Sequence, residues 1–248
     1  MHKLMQLYND NSRREKRPMN IVHNGSEASL YIYDVIDQYW GVSAQSVIDA
    51  VAQAGDAQVL NVYINSPGGS VFEGRAIMAE LARFNGKTIA HIDSLCASAA
   101  TSVALSCNEV RMSEGAFFMI HNASGMAWGD KAALRETANL LEKVEGSIIA
   151  DYVTATGKPV EQIAAWMDAE TWFTAQEALD NGFIDSITPA KQSTDAKNTW
   201  NLASYANAPK ELSAPPIENK QVEDQEAPLV QQSAAQSNAN RLKLISAA

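Results

Sequence analysis

The sequence predicts an α/β fold built on a mostly parallel sheet. Short runs rich in aromatic and β-branched residues alternate with stretches of helical periodicity, in the order β-α-β-α-β-α-β-β, followed by helices. Such alternation is the pattern of parallel strands joined by right-handed crossovers. Apolar residues make up 46% of the chain, enough to fill a core between sheet and helices. A third observation is local: "YINSPGGSVFEGRAI", residues 63–77, sets Gly68 and Gly69 between an apolar run and a helical pattern. A strand that stops at such a turn leaves backbone N–H groups without helical partners. Those donors can hold an anion, or a carbonyl oxygen that is gaining charge.

"SLYIYDVI" (29–36) is the first predicted strand, on its aromatic and β-branched content. "SAQSVIDAVAQAG" follows as a helix, with Ser43 as N-cap and Gly55 as its stop. Residues 57–65 form the next strand. "SVFEGRAIMAELARFNG" places Ile77, Leu81 and Phe84 on one helical face and ends at Gly86. "KTIAHID" is a strand, and "ASAATSVALSC" a short, small-residue helix with little polar surface, hence buried. "NEVRM" and "AFFMIHN" are two further strands. From Asp130 to about Thr156, Leu134, Ala138, Leu141, Val144, Ile148 and Tyr152 keep a three–four spacing. They predict one long amphipathic helix stopped by Gly157. "VEQIAAWMD" and "TAQEALDNG" are helices, the second capped by Thr174 and closed by Gly182, and "FIDSI" is a last short strand.

The folded domain is expected over residues 27–190. Residues 1–26 carry Arg13, Arg14, Lys16 and Arg17 but no apolar stretch of a secretory signal, and are expected to form a flexible arm. Residues 191–248 shift to Ala, Gln, Asn, Ser and Pro with scattered apolar residues, the composition of a disordered tail.

The net charge of −10 and pI near 4.9 argue against a nucleic-acid partner, which needs a basic stripe. No apolar run approaches the roughly 20 residues that span a bilayer, so no membrane partner is expected. Cys96 and Cys107 are too few for a disulfide framework or a four-ligand metal site. They read as buried reduced thiols, consistent with a cytoplasmic setting.

Ser98 follows a predicted strand and opens a helix among Ala97, Ala99 and Ala100. Small neighbours leave room for a substrate, and the first turn of a helix favours a developing alkoxide. The plain alternative is an ordinary N-cap serine. His2, His23, His91 and His121 are the available bases. His121 stands where a strand ends, the place where ligands gather in parallel α/β sheets, although a simple loop histidine reads the same. Asp168 and Glu170, with Asp93 and Asp185 further afield, are the acids that could orient an imidazole. Spacing alone does not bring residues 98, 121 and 170 together.

Taken together, "YINSPGGSV", "CASAATSVAL", "FFMIHNA" and "ETWFTAQEALDNGFIDSI" resemble the Clp protease proteolytic subunit (ClpP) family, over about residues 30–187. The resemblance implies the β-α-β superhelical spiral shared by ClpP and the crotonases, with residues 130–156 as a projecting helical handle. It implies a serine endopeptidase with Ser98 as nucleophile and His121 as base. The acid is Glu170, where the family carries aspartate, with Asp168 as the alternative. The N–H groups of Gly69 and Ala99 would form the oxyanion hole. No cofactor and no metal are implied.

"LYIYDVI", "MDAETWFTA", "MIHNASG" and the long polar tail are most similar to the ClpP-related head maturation proteases of tailed bacteriophages. That subgroup implies processing of capsid or scaffold proteins, in the host cytoplasm or within the prohead. The apolar face of the long helix implies a homo-oligomer, a ring being one form it could take. Alternatives are a cellular Clp proteolytic subunit fed by a separate ATPase unfoldase, a crotonase-like acyl-CoA enzyme, and an assembly protein without catalysis.

Overall fold

The computed structural model describes residues 3–11, 19, 21–189 and 200–209. Eight strands form one sheet: β1 (Val22–Asn24), β2 (Glu27–Ile32), β3 (Val59–Ser66), β4 (Lys87–Ala97), β5 (Glu109–Ser113), β6 (Phe117–Ile120), β7 (Thr171–Thr174) and β8 (Ser186–Thr188). The main order is β1-β2-β3-β4-β5-β8, while β6 pairs with β4 and with β7. All pairings are parallel except β1 with β2 and β6 with β7. This is the mixed α/β architecture anticipated from the alternation of elements.

The helices are α1 (Lys3–Asn11), α2 (Ala44–Ala54), α3 (Val71–Leu81), α4 (Ala99–Leu105), α5 (Lys131–Thr156), α6 (Val160–Asp168) and α7 (Ala175–Asp180). Their ends follow the local chemistry. Ser43 and Ser46 make a reciprocal capping box on α2, and Thr174 and Glu177 make another on α7. The Asp130 side chain accepts from the N–H groups of Ala132 and Ala133, and Gly157 closes α5 in the left-handed conformation. The core lies between the sheet and α2–α4, with Leu30, Leu60, Val62, Ile64, Ile77 and Ile92 fully buried.

Strand β4 positions the site. Its first half, residues 89–92, pairs with β5, and residues 95–97 pair with β6 instead. Opposite β3 the register jumps: Ile64 faces Ile92 but Ser66 faces Cys96, so two residue steps on β3 span four on β4. The extra residues kink β4 and turn its end toward β6, as bulges do. The strand therefore runs four residues beyond "KTIAHID" and stops directly before Ser98.

On α5 only Ile148 and Tyr152 are buried; the Tyr152 hydroxyl shares a 2.6 Å hydrogen bond with Thr101 Oγ1. Farther toward the N-terminal end Leu134 and Leu140 are 48% and 54% exposed. Much of the apolar face thus stands uncovered in the single chain.

Three sequence expectations need correction. Strand β7 falls between two helical patterns and was not anticipated; it pairs along β6 from Phe117–Thr174 to Ile120–Thr171. The expected flexible arm contains α1, whose Leu7 and Asn11 are buried, and β1, which pairs with β2. The expected disordered tail contains residues 200–209, which are packed. Leu7, Val35, Leu95, Ala97, Met119, Trp200, Leu202 and Tyr205 form a second, smaller core. Trp200 Nε1 donates to Asn65 Oδ1 at 2.9 Å. Asn201 N–H donates to Asn11 Oδ1 at 2.8 Å, and Asn11 Nδ2 donates back to Asn201 O at 2.9 Å. Scattered apolar residues thus suffice here because they meet a complementary apolar patch at the ends of β4 and β6. The remainder of both terminal expectations lies outside the described residues.

Trp200 is wholly buried. Trp200→Ala is expected to destabilise the chain by ~3–5 kcal/mol, the usual cost of removing a buried aromatic. Urea unfolding measures this directly, and an unchanged midpoint would show that the segment contributes nothing to stability.

Candidate active site

Ser98 sits on a sharp strand-to-helix turn between β4 and α4, with φ 54° and ψ −127°. A non-glycine residue in that region carries backbone strain of about 1–3 kcal/mol, and such strain gathers at functional positions. It is the conformation of a nucleophile elbow, which thrusts a hydroxyl away from both elements. The turn is held by Ser98 N–H on Met119 O at 2.9 Å and by Thr101 N–H on Ser98 O at 2.9 Å. Ser98 stands at the N-cap position of α4, yet its side chain makes no capping bond. Its Oγ lies instead 2.8 Å from His121 Nε2. The ordinary N-cap reading is thereby set aside for this residue.

His121 follows the last residue of β6, and the parallel β4–β6 pairing puts it beside the elbow. The antiparallel β6–β7 register ends at Ile120–Thr171; carried one step further, it sets His121 opposite Glu170. Glu170 is only 8% exposed and has φ 48°, a second strained non-glycine residue. Its Oε1 accepts from Asn207 N–H at 2.7 Å, its Oε2 accepts from Ala206 N–H at 3.1 Å, and Trp172 Nε1 approaches Oε1 at 3.5 Å. Asp168 is exposed at the end of α6, where Oδ1 accepts from Asn122 Nδ2 at 2.7 Å. The other acids and bases are engaged elsewhere. Asp93 accepts from the Tyr33 hydroxyl, and Asp185 accepts from Val110 N–H at 2.7 Å. His91 stacks on Tyr63, with Nε2 2.8 Å from Asn61 Oδ1, and His23 Nε2 lies 3.0 Å from Gln53 O. His2 lies outside the described residues.

The Pro-Gly-Gly turn packs flush against the elbow. Ile36 N–H donates to Gly68 O at 2.8 Å and Ser70 N–H donates to Ile36 O at 2.7 Å. Gly68, at φ 85°, leaves no room for a side chain: a Cβ would lie 2.4 Å from Ala97 O and 2.7 Å from Ser98 Cβ. At Gly69, φ 149°, a Cβ would lie 2.2 Å from Ile36 O. Glycine at 69 is therefore required by close approach to the chain's own backbone. Neither Gly69 N–H nor Ala99 N–H donates to another group among the described residues.

Sequence reasoning missed Tyr205. Its hydroxyl donates to Pro67 O, and its ring meets the His121 ring edge-on at 5.4 Å and the Trp172 ring at 5.8 Å. Burial pushes the Tyr205 phenol well above its usual range. The negative charge of Glu170 pushes the same way, and hydrogen bonding with the Ser98 side chain opposes them. The signal was present as three large apolar residues, Trp200, Leu202 and Tyr205, within six positions of a polar tail.

Two cavities meet at the pair. A groove of about 320 Å³ is lined by Gly69, Phe72, Ser98, His121, Leu141 and Tyr205, among others. A small pocket beside it is walled by Val71, Met78, Ala99, Ile148 and Tyr152. Among the described residues no group of three or more His, Cys, Asp or Glu is placed to hold a metal ion, and no helix is long and apolar enough to cross a membrane.

The cysteines take no part. Cys96 is buried, and burial raises its thiol well above the ordinary value. Cys107 is only half-buried as a residue, but burial of the thiol pushes it up to about 12, against a smaller lowering by Thr88. Raised values keep both thiols protonated at pH 8, and the thiolate is the reactive form. Both should therefore resist iodoacetamide at pH 8 in the folded chain and react on denaturation. Rapid labelling of the native protein, followed by mass spectrometry, would contradict this.

Residues 15–191 match the family model described as Clp protease. The ATP-dependent Clp protease proteolytic subunit of Porphyromonas gingivalis is 30% identical over 165 residues, 64% of this chain and 72% of that protein. Subunit 2 of the same protease from Thermobifida fusca is 35% identical over 132 residues, 52% of this chain and 64% of its own length. A ClpP1 variant from Listeria monocytogenes superposes with a TM-score of 0.59 at 22% identity, covering 65% of this chain and 91% of that one, a likeness that speaks for the fold. With the spiral's strands and the serine–histidine pair already in place, these matches show that the chain belongs to the Clp protease family of serine peptidases.

Proposed function

We propose that Ser98, His121 and Glu170 form the catalytic triad of this peptidase. The observation that carries this reading is the 2.8 Å approach of His121 Nε2 to Ser98 Oγ on a strained elbow. Ser98 Oγ attacks the scissile carbonyl carbon while His121 takes its proton. The oxyanion that forms is received by the N–H groups of Gly69 and Ala99. His121 then passes the proton to the leaving amine as the C–N bond breaks. Water, deprotonated by the same imidazole, attacks the acyl-serine and frees the enzyme. Each oxyanion donor is worth about 10²–10³ in rate. Glu170 holds the imidazole and stabilises its cationic form. Its burial and its place opposite His121 favour it over Asp168, whose carboxylate is exposed and engaged by Asn122. The apolar walls of the side pocket suit a small apolar residue on the acyl side of the cleaved bond.

The substrate is a polypeptide, and the chain acts as a homo-oligomer, a ring in which the uncovered face of α5 is buried against neighbours. We assign the cleavage to head maturation of a tailed phage, with capsid or scaffold proteins as substrates. The segments "LYIYDVI", "MDAETWFTA" and "MIHNASG" support this reading, as does the long polar extension. The second reading is a cellular proteolytic subunit working with an ATPase. It is favoured by the names of the relatives from Porphyromonas and Thermobifida.

Ser98→Ala is expected to lower peptide hydrolysis by about 10⁶, the scale seen when a triad serine is removed, while the oligomer seen by light scattering is retained. A fluorophosphonate should label Ser98 in the wild type and fail in His121→Ala; labelling of another serine moves the site. Glu170→Gln should cost far more than Asp168→Asn, and the reverse would transfer the acid role. Co-expression with the capsid genes neighbouring its own separates the two biological settings. Ser98-dependent processing of capsid or scaffold supports head maturation, and co-purification with an unfoldase without such processing supports the cellular reading.

A further inference from the structure

We infer that residues 200–209 are a working part of the active site and that Asn207, through its main-chain N–H, is a positioning residue for Glu170. The inference rests on the triad reading above. The segment touches Glu170, His121 and the Pro67 carbonyl. Ala206 and Asn207 direct consecutive N–H groups at the two oxygens of Glu170. The Asn207 side chain also donates to Ala169 O at 2.9 Å, fixing the backbone beside the acid. Tyr205 bonds Pro67 O at the start of the glycine turn and sets its ring against His121.

The chemistry explains why such a clasp is needed. Where aspartate would be short and stiff, glutamate has one more rotatable bond, and a buried carboxylate with free rotamers neither orients an imidazole nor tolerates loss of water. Two main-chain N–H groups remove that freedom and solvate the charge at once, as hydrogen bonds to a charged group are the strong ones. Their rigidity comes from farther back. Trp200 and Leu202 are wholly buried, and Asn201 is paired in both directions with Asn11 of α1.

The segment is a wall of the groove, not its filling. The groove of about 320 Å³ persists beside Ser98 and His121 with Ser204 and Tyr205 on its lining.

The test uses the full chain and two probes, a fluorophosphonate and a short fluorogenic peptide ester. Asn207→Pro removes the N–H. It should lower kcat and the labelling rate by ~10-fold or more, as loss of a bond to a charged group does, with KM changed less than threefold. Asn207→Ala keeps the N–H and should recover at least a third of the wild-type rate. In a Glu170→Gln background, Asn207→Pro should add little, because both changes strike one interaction. An equal cost in the Gln background, or equal losses for Pro and Ala, would mean the segment only supports the fold and would overturn the inference. Faster labelling in Asn207→Pro, or in a chain ending at residue 199, would overturn it in favour of occlusion. A wild type that does not label at Ser98 sinks the triad reading itself, whereas a labelled wild type with an equally fast Asn207→Pro sinks this inference alone.

Discussion

The arrangement depends on one steric constraint, the contact between Gly68 and the Ser98 elbow. A Cβ at position 68 would overlap Ala97 O and Ser98 Cβ, so turn and elbow are packed as closely as two backbones allow. That proximity places the glycine turn directly against residues 97–99. It is possible only because β4 changes partner along its length. Had β4 continued beside β5, residue 97 would not pair with Met119, and His121 would end on a different part of the sheet. The kink opposite Ile64 and Ser66 is thus the origin of the serine–histidine distance, and the strain at Ser98 is held by the surrounding hydrogen bonds to Met119 and Thr101.

A second constraint is electrostatic. The site combines a buried carboxylate, an imidazole and a buried phenol within one small core, where an uncompensated charge is costly. Glu170 meets this with main-chain donors, and Tyr205 meets it by staying protonated: burial and the nearby carboxylate both disfavour phenolate. A neutral Tyr205 can donate to Pro67 O, whereas a phenolate would set two negative charges side by side. Trp172 and Tyr205 pack edge to face beside this carboxylate, with Trp172 Nε1 3.5 Å from Glu170 Oε1.

What the sequence made legible was whatever is set locally. Ser43, Thr174 and Gly157 cap helices through their own side chains or backbone freedom, and each was found where the pattern placed it. The glycine pair and the Ser98 helix start were visible for the same reason. Strand β7 was hidden because its four residues follow one helix signal and precede another, and its pairing with β6 joins residues about fifty positions apart. The terminal segments were hidden by averaging. Leu7 ahead of a basic run, and Trp200, Leu202 and Tyr205 within a polar tail, look like exposed residues until the patch of Leu95, Ala97 and Met119 is known. No local pattern announces the Asn11–Asn201 pair, whose members are 190 positions apart.

That long-range pair bears on how the site is completed. The serine, the histidine and the glycine turn belong to one contiguous α/β body, which the sheet register defines by itself. The clasp on Glu170 comes from residue 206 onward and is braced through Asn201 by a helix at the opposite end of the chain. Closing so long a loop carries an entropic cost that grows with the logarithm of its length, and it is met by burying Trp200, Leu202 and Leu7 together. Holding the Glu170 carboxylate thus becomes conditional on residues 3–11 and 200–209 both being in place. A body that has folded without them has Ser98 and His121 aligned, but lacks the two N–H groups that hold the Glu170 carboxylate.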